Sequence, residues 1–114
     1  MTVQRRRFLL KLTVLPGIVS GLSPLARAGA KPNAHRVVIG QFEYAPSRLR
    51  VRAGDTITWI NEDIVPHTAT ATDGSWDTGE ISGGESKTLA IGEPLTESYY
   101  CRYHPAMKAT LESD

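Results

Sequence analysis

The segment ESYYCRYHPAM, residues 97–107, joins a strand pattern to a turn. Successive side chains of a strand point to opposite faces. Alternation therefore places three side chains on the same face of the strand, namely Tyr99, Cys101 and Tyr103. The proline after His104 disfavours a helical conformation there, so that residue begins a turn. We expect Cys101 to point into a β-sandwich near the end of a strand, and His104, which lies in the turn, to be nearer the surface than Cys101.

Similar alternating runs recur along the chain from residue 36 onward. They comprise RVVIGQFEY (36–44), RLRVR (48–52), DTITWIN (55–61), HTATAT (67–72), ESKTLAI (85–91) and ESYYCRY (97–103). Turn-forming residues separate them, and no ten-residue stretch shows a helical period. Short strands spaced in this way are typical of an all-β fold, either an antiparallel sandwich or a small barrel. Trp59 alternates inward as core filling, and His35 precedes the first run, where we expect it to be exposed to solvent.

The first thirty residues differ from the rest and predict an export signal. Three arginines, residues 5–7, precede a mildly apolar run that ends in the small residues ARAGA, and cleavage is expected after Ala28 or Ala30. The run is too short and too interrupted to span a bilayer. QRRRFLLK, residues 4–11, resembles the twin-arginine export motif, with an ordinary secretory signal as the alternative. Both routes lead out of the cytoplasm, and we predict the periplasm.

Charge separates the predicted signal from the predicted domain, residues 31–114. Five of the 13 lysines and arginines lie at or before Arg27, whereas all 12 acidic residues come later. The domain is therefore acidic although the whole chain has a formal charge of +1. It offers no clustered basic surface, so we expect no nucleic-acid partner. A single cysteine is unusual in an exported chain, because oxidising compartments favour paired cysteines.

That cysteine, Cys101, is followed by His104 at +3 and by Met107 at +6, and another histidine, His67, follows a proline upstream. Taken singly, each of these residue types usually has an ordinary structural explanation. A lone cysteine is usually a small buried apolar side chain, a surface histidine usually has no function, and a methionine usually fills space in the core. Together, two imidazoles, one thiolate and one thioether match the composition of an electron-transfer copper site. Zinc more often takes a harder fourth ligand than methionine, and iron–sulfur clusters need more cysteines. No catalytic base, nucleophile or open coordination position can be assigned, so we expect no enzyme.

Three segments carry a resemblance to a known family. GDTITWINEDIVPHTAT (54–70), GGESKTLAI (83–91) and YYCRYHPAM (99–107) resemble the blue-copper cupredoxins, most closely the small amicyanin-like and plastocyanin-like bacterial members. The likeness runs from about residue 37 to 111. It implies an antiparallel Greek-key β-sandwich of about seven to eight short strands. It also implies one type 1 copper ion per chain. The three equatorial ligands would be His67, Cys101 and His104, and the long axial ligand would be Met107.

The resemblance also implies a function and its partners. It predicts a periplasmic shuttle of single electrons, a monomer that forms transient complexes with a redox protein such as a dehydrogenase, a reductase, a c-type cytochrome or an oxidase. Two other functions stay open: a copper carrier or storage protein of the same fold, and a metal-free interaction module. Thr68 and Arg102 depart from the family pattern, which has asparagine and threonine there. Both positions adjoin ligands, so the hydrogen bonding around the thiolate, and with it the reduction potential, stays open.

Overall fold

The computed structural model describes residues 31–93 and 95–114, and the predicted export signal lies outside this part of the chain. Eight strands are present among the described residues. In chain order they are β1 Ala34–Gly40, β2 Glu43–Ala45, β3 Arg48–Val51, β4 Thr56–Asn61, β5 Thr70–Ala71, β6 Ser86–Ala90, β7 Ser98–Tyr100 and β8 Lys108–Ser113. Within the described residues, no helix has the length and apolar character needed to cross a membrane.

The strands form two four-stranded sheets. One has the order β2-β1-β4-β6 and the other the order β3-β8-β7-β5. The all-β sandwich is thereby confirmed, but the expectation of a purely antiparallel sandwich was wrong. β1 runs parallel to β4, with Val37 opposite Trp59, and β3 runs parallel to β8, with Leu49 opposite Leu111. Alternation reveals which face of a strand is buried and carries no information on the direction of its neighbour, which explains the error.

Inward side chains of both sheets fill the space between them. β4 alternates half-buried and buried positions along its whole length, which places Ile57 and Trp59 in the core at 0% exposure. Trp59 packs against Trp76 and Tyr99, with ring centroids 5.5 and 5.6 Å apart. Fully burying a large apolar side chain contributes about 1.5–3 kcal/mol, so this aromatic cluster is a main source of stability. The predicted core position of Trp59 is confirmed.

Two local expectations near the strand ends were wrong. Tyr103 does not share the buried face of Cys101 but is 42% exposed, because the strand stops at Tyr100 and the chain turns. His35 is not in a solvent-exposed leader to the sheet. It lies in β1, is only 17% exposed, and its Nε2 is 2.9 Å from the carboxylate of Asp55, which is itself 2% exposed. The parallel pairing of β1 with β4 brings these two residues together.

Candidate metal centre

Two imidazoles meet the only thiol at one end of the sandwich. The Nδ1 atoms of His67 and His104 each lie 3.7 Å from the Sγ of Cys101, and the three potential ligand atoms lie within 4.8 Å of one another. His67 and Cys101 are fully buried, whereas His104 is half-buried. The structure thus gathers three of the four residues that the sequence singled out, and the expectation that His104 lies nearer the surface than Cys101 is confirmed.

The turn after β7 closes on itself through its own backbone. The amide of Cys101 donates to the carbonyl of Met107 at 3.1 Å, while the amides of His104 and Met107 donate to the carbonyls of Cys101 and His104 at 3.2 and 2.8 Å. These bonds link residues three or six positions apart. The +3 and +6 spacing seen in the sequence is therefore the spacing of a closed turn whose ends face each other.

Met107 ends this turn in a buried position, with 5% of its surface exposed. The family pattern assigns it as the long axial ligand. Its place in the closed turn agrees with that assignment, which stays a prediction.

His67 comes from a segment that Asn61 holds in shape. The Nδ2 of Asn61 donates to the carbonyls of Val65 and Ile81, each at 2.9 Å, and its Oδ1 accepts the amide of Asp63 at 2.9 Å. His67 then pairs with Ile81 in an isolated bridge, with backbone bonds of 3.1 and 2.7 Å. HTATAT therefore contributes only the short strand β5, and the predicted strand at 67–72 was too long.

Asp63 orients the buried imidazole, a role that the sequence analysis missed. Its Oδ2 accepts hydrogen bonds from the Nε2 of His67 at 2.8 Å and from the amide of Phe42 at 2.9 Å, and its Oδ1 accepts the amide of Gln41 at 2.6 Å. Although burial opposes ionisation, the bonds from Phe42, His67 and Gln41 hold the pKa of this carboxyl below its ordinary value. With Nε2 donating to the carboxylate, the Nδ1 of His67 is left as the acceptor that faces the sulfur.

Phe42 covers the site from the turn between β1 and β2. Its ring meets His67 and His104 edge to face, with centroids 5.2 and 4.8 Å apart, and 48% of its surface stays exposed. Gln41 and Phe42 both have positive φ, 53° and 62°, which is uncommon for non-glycine residues. The two hydrogen bonds that the amides of Gln41 and Phe42 donate to Asp63 stabilise this turn. No sequence pattern identified Phe42, because its contacts with the histidines span 25 and 62 residues of chain.

The thiol sulfur receives one backbone hydrogen bond. The amide of Thr68 lies 3.4 Å from the Sγ of Cys101, and the Oγ1 of Thr68 accepts the amide of Arg102 at 2.9 Å. Thr68 is fully buried. The two residues that depart from the family pattern therefore bond to each other and connect the segments that carry His67 and Cys101.

This donor set fits copper. Two imidazole nitrogens and one thiolate converge in a largely buried position, with a thioether at the end of the same turn, and this combination of soft and borderline ligands suits copper better than harder metals. Cys101 is a free, buried thiol, so the sulfur is available as a ligand. The candidate ligands are thus His67, Cys101 and His104, joined by Met107.

Comparisons with known proteins agree with this site. The family model for copper binding proteins of the plastocyanin/azurin family matches residues 33–112. Amicyanin from Paracoccus denitrificans is 33% identical over 94 residues, which cover 78% of this chain and 72% of that protein. Plastocyanin from Scenedesmus fuscus is 31% identical over 85 residues, or 63% of this chain and 87% of its own length.

Solved structures support the same fold. The reduced state of an amicyanin mutant superposes with a TM-score of 0.60 at 27% identity, covering 76% of this chain and 88% of that one. Amicyanin from Paracoccus versutus gives a TM-score of 0.62 at 22% identity, with 76% and 87% covered. The chain therefore belongs to the plastocyanin/azurin family of copper-binding proteins, in which it is an amicyanin-like blue-copper cupredoxin that carries electrons and is not an enzyme.

Proposed function

We propose that the protein is a periplasmic carrier of single electrons with one type 1 copper ion per chain. His67, Cys101 and His104 are its strong ligands and Met107 its weak axial ligand. The observation that carries the proposal is the placement of two imidazole Nδ1 atoms 3.7 Å from the same sulfur, without any second thiol nearby among the described residues. When bound, copper supplies a one-electron couple between Cu(I) and Cu(II).

The surrounding residues suit electron transfer because they limit movement of the ligands. The imidazole of His67 is held from behind by Asp63, and the segment before it is held by Asn61. Backbone bonds close the turn that carries Cys101 and His104. A ligand set fixed in this way needs little rearrangement when the charge of the ion changes. A copper carrier would instead need ligands that open to release the metal.

An apolar rim beside the candidate ligands provides a surface for transient docking of a redox partner. Phe42 is 48% exposed, Ile64 95% and Val65 37%, and all three lie in the loops next to the ligands. Large apolar side chains exposed together mark interaction sites in soluble proteins. The rim is small, which favours a monomer that forms brief complexes with a dehydrogenase, a reductase, a c-type cytochrome or an oxidase.

Visible absorption of the purified protein tests the function. We expect one equivalent of Cu(II) to give an intense blue colour that ascorbate bleaches and an oxidant restores. Cys101→Ala should abolish the colour, whereas the control His35→Ala, whose ring lies in β1 away from the thiol, should keep it. A colourless protein with loosely held Cu(I) would support the copper carrier, and metal content unchanged by Cys101→Ala would support the metal-free module.

We also propose that residues 1–30 are a signal for export by the twin-arginine route and that residues 31–114 form the folded domain. The supporting pattern is QRRRFLLK followed by a short apolar run and small residues. Replacing Arg5 and Arg6 with lysine should leave the precursor in the cytoplasm, and the mass of the wild-type periplasmic protein should correspond to cleavage after Ala28 or Ala30. Unchanged export of the variant would indicate an ordinary secretory signal.

A further inference from the structure

Four residues beside the candidate metal centre form a closed ring of hydrogen bonds. The amide of Arg102 donates to the Oγ1 of Thr68 at 2.9 Å, and this hydroxyl lies 2.9 Å from the Oγ1 of Thr70. Thr70 Oγ1 donates to the Oδ1 of Asp77 at 3.1 Å, and the Nε of Arg102 donates to the Oδ2 of Asp77 at 2.9 Å, which closes the ring. None of these four residues is a copper ligand in the proposed electron carrier.

The direction of every bond in the ring is fixed. Burial opposes ionisation of Asp77, yet the bonds from the Gly79 amide, Arg102 and Thr70 hold its pKa below the ordinary value, so the carboxylate only accepts. Thr70 donates its single hydroxyl proton to Asp77, so its oxygen can only accept in the bond with Thr68. Thr68 must therefore donate to Thr70. The oxygen of Thr68 is then free to accept the amide of Arg102. A single change at Asp77 thus affects the whole ring.

The ring joins the two segments that supply ligands from different parts of the chain. Thr68 directly follows His67, and Arg102 directly follows Cys101. Asp77 lies on a third segment, where the amide of Gly79 donates to its Oδ1 at 2.7 Å and an isolated bridge pairs it with Thr70. The ring also includes the residue whose amide points at the thiol sulfur, 3.4 Å away.

We propose that Asp77 is a positioning residue that closes this ring and so holds the Thr68 amide against the sulfur of Cys101, raising the reduction potential. The inference depends on the proposed ligand set. A hydrogen bond to the thiolate stabilises its negative charge, which makes sulfur a weaker donor to Cu(II) and favours Cu(I). Loosening the ring weakens that bond and lowers the potential.

Charge alone predicts a different result. Removing the negative charge of Asp77 would raise the potential, and removing the positive charge of Arg102 would lower it. Their ion pair is partly exposed, at 37% and 42%, so through-space effects on a buried site are screened. The positioning role predicts that both changes lower the potential, because each opens the same ring. The sign for Asp77 therefore separates the two explanations.

The experiment compares reduction potentials of the copper-loaded protein in Asp77→Asn, Arg102→Met and the double variant. We expect each single change to shift the Cu(II)/Cu(I) equilibrium about three- to tenfold toward Cu(II), where tenfold corresponds to 59 mV for one electron. The double variant should shift no further than the larger single effect. The control Glu80→Gln removes the same charge from the same loop. The Glu80 carboxylate accepts a hydrogen bond from Tyr103, outside the ring, so this change should not lower the potential.

Amide hydrogen exchange in the metal-free protein tests the ring without copper. The amides of Thr68 and Arg102 should exchange about tenfold faster in Asp77→Asn and in Thr68→Val, whereas Thr68→Ser keeps the hydroxyl and should retain the wild-type rates and potential. A raised potential in Asp77→Asn, or unchanged exchange at both amides, would overturn the positioning role. Failure of the wild-type protein to bind copper would instead contradict the proposed function, and the exchange rates would still decide whether the ring holds the two segments.

Discussion

Removal of the Asp63 carboxylate should destabilise the metal-free protein by about 2–4 kcal/mol. Two of its three hydrogen bonds come from amides in the exposed turn at Gln41 and Phe42, which regain water, so each costs only about 0.5–1.5 kcal/mol. The third donor is the Nε2 of His67, a fully buried side chain, and leaving such a donor without a partner costs about 1–3 kcal/mol. Because Asp63 is 14% exposed, some water reaches the gap, which places Asp63→Ala in the lower part of the combined range.

Asp63→Asn is the matched control. The Oδ2 atom accepts from both His67 and Phe42, so one amide oxygen in that place keeps two of the three bonds. Only the amide of Gln41, which lies in the exposed turn, would face the new NH₂ group. We therefore expect Asp63→Asn to cost about 1 kcal/mol.

Urea denaturation of the metal-free variants measures these costs, and competition with a chelator measures Cu(II) affinity. Residues that orient a metal-binding histidine typically contribute 10- to 100-fold in affinity, and we expect that loss for Asp63→Ala. The expected role of the carboxylate is contradicted if Asp63→Ala unfolds within about 0.5 kcal/mol of wild type, or if Asp63→Asn is as costly as Asp63→Ala. The first result would mean that water replaces the carboxylate at the His67 ring, and the second that an amide oxygen does not keep the bonds from His67 and Phe42.

Three further changes test other parts of the fold. Gly83→Ala would bring a Cβ within 2.6–2.7 Å of two backbone oxygens at 63–64, so we expect a loss of about 1–3 kcal/mol and a changed absorption spectrum, whereas Gly92→Ala, with open space around it, should melt close to wild type. Trp59→Ala should lower the free energy of unfolding by about 3–5 kcal/mol, measured in urea, because the side chain is fully buried. Hydrogen bonds from an imidazole of β1 and two backbone amides lower the pKa of Asp55 to about 2, so its stabilisation is complete above pH 4 and is lost toward pH 2. Asp55→Asn should flatten this part of the stability profile.

The parts of the site that the sequence predicts are those encoded over short distances. Cys101, His104 and Met107 belong to one turn, and the backbone bonds that bring them together link residues within seven positions. Alternation likewise predicts the buried face of β4 because burial and strand pleat share a period of two. His67 is the exception. It lies 34 residues before the thiol, and its assignment depended on the chemistry of the ligand set and on the family resemblance.

The residues that sequence reasoning missed act across the fold. Asp63 and Phe42 orient and cover the histidines only because the turn after β1 lies against the end of β4, and this neighbourhood comes from a parallel strand pair that alternation cannot reveal. Thr68 and Arg102 were identified as departures from the family pattern, but their consequence was open. Their effect depends on Asp77, which lies 25 residues before Arg102 and has no distinctive pattern of its own.

The two histidines of the site differ in exposure and are held by different parts of the structure. His67 is fully buried, and both ring nitrogens face protein groups: Nδ1 the sulfur and Nε2 the Asp63 carboxylate. His104 is half-buried in a turn that is closed by backbone bonds, and its ring contacts Phe42 at the surface. An electron carrier needs both properties, since one ligand must resist movement when the charge changes and another must come close to a partner. Long-range packing supplies the first and a seven-residue turn supplies the second, so substitutions at the exposed rim can alter partner choice while leaving the buried imidazole in place.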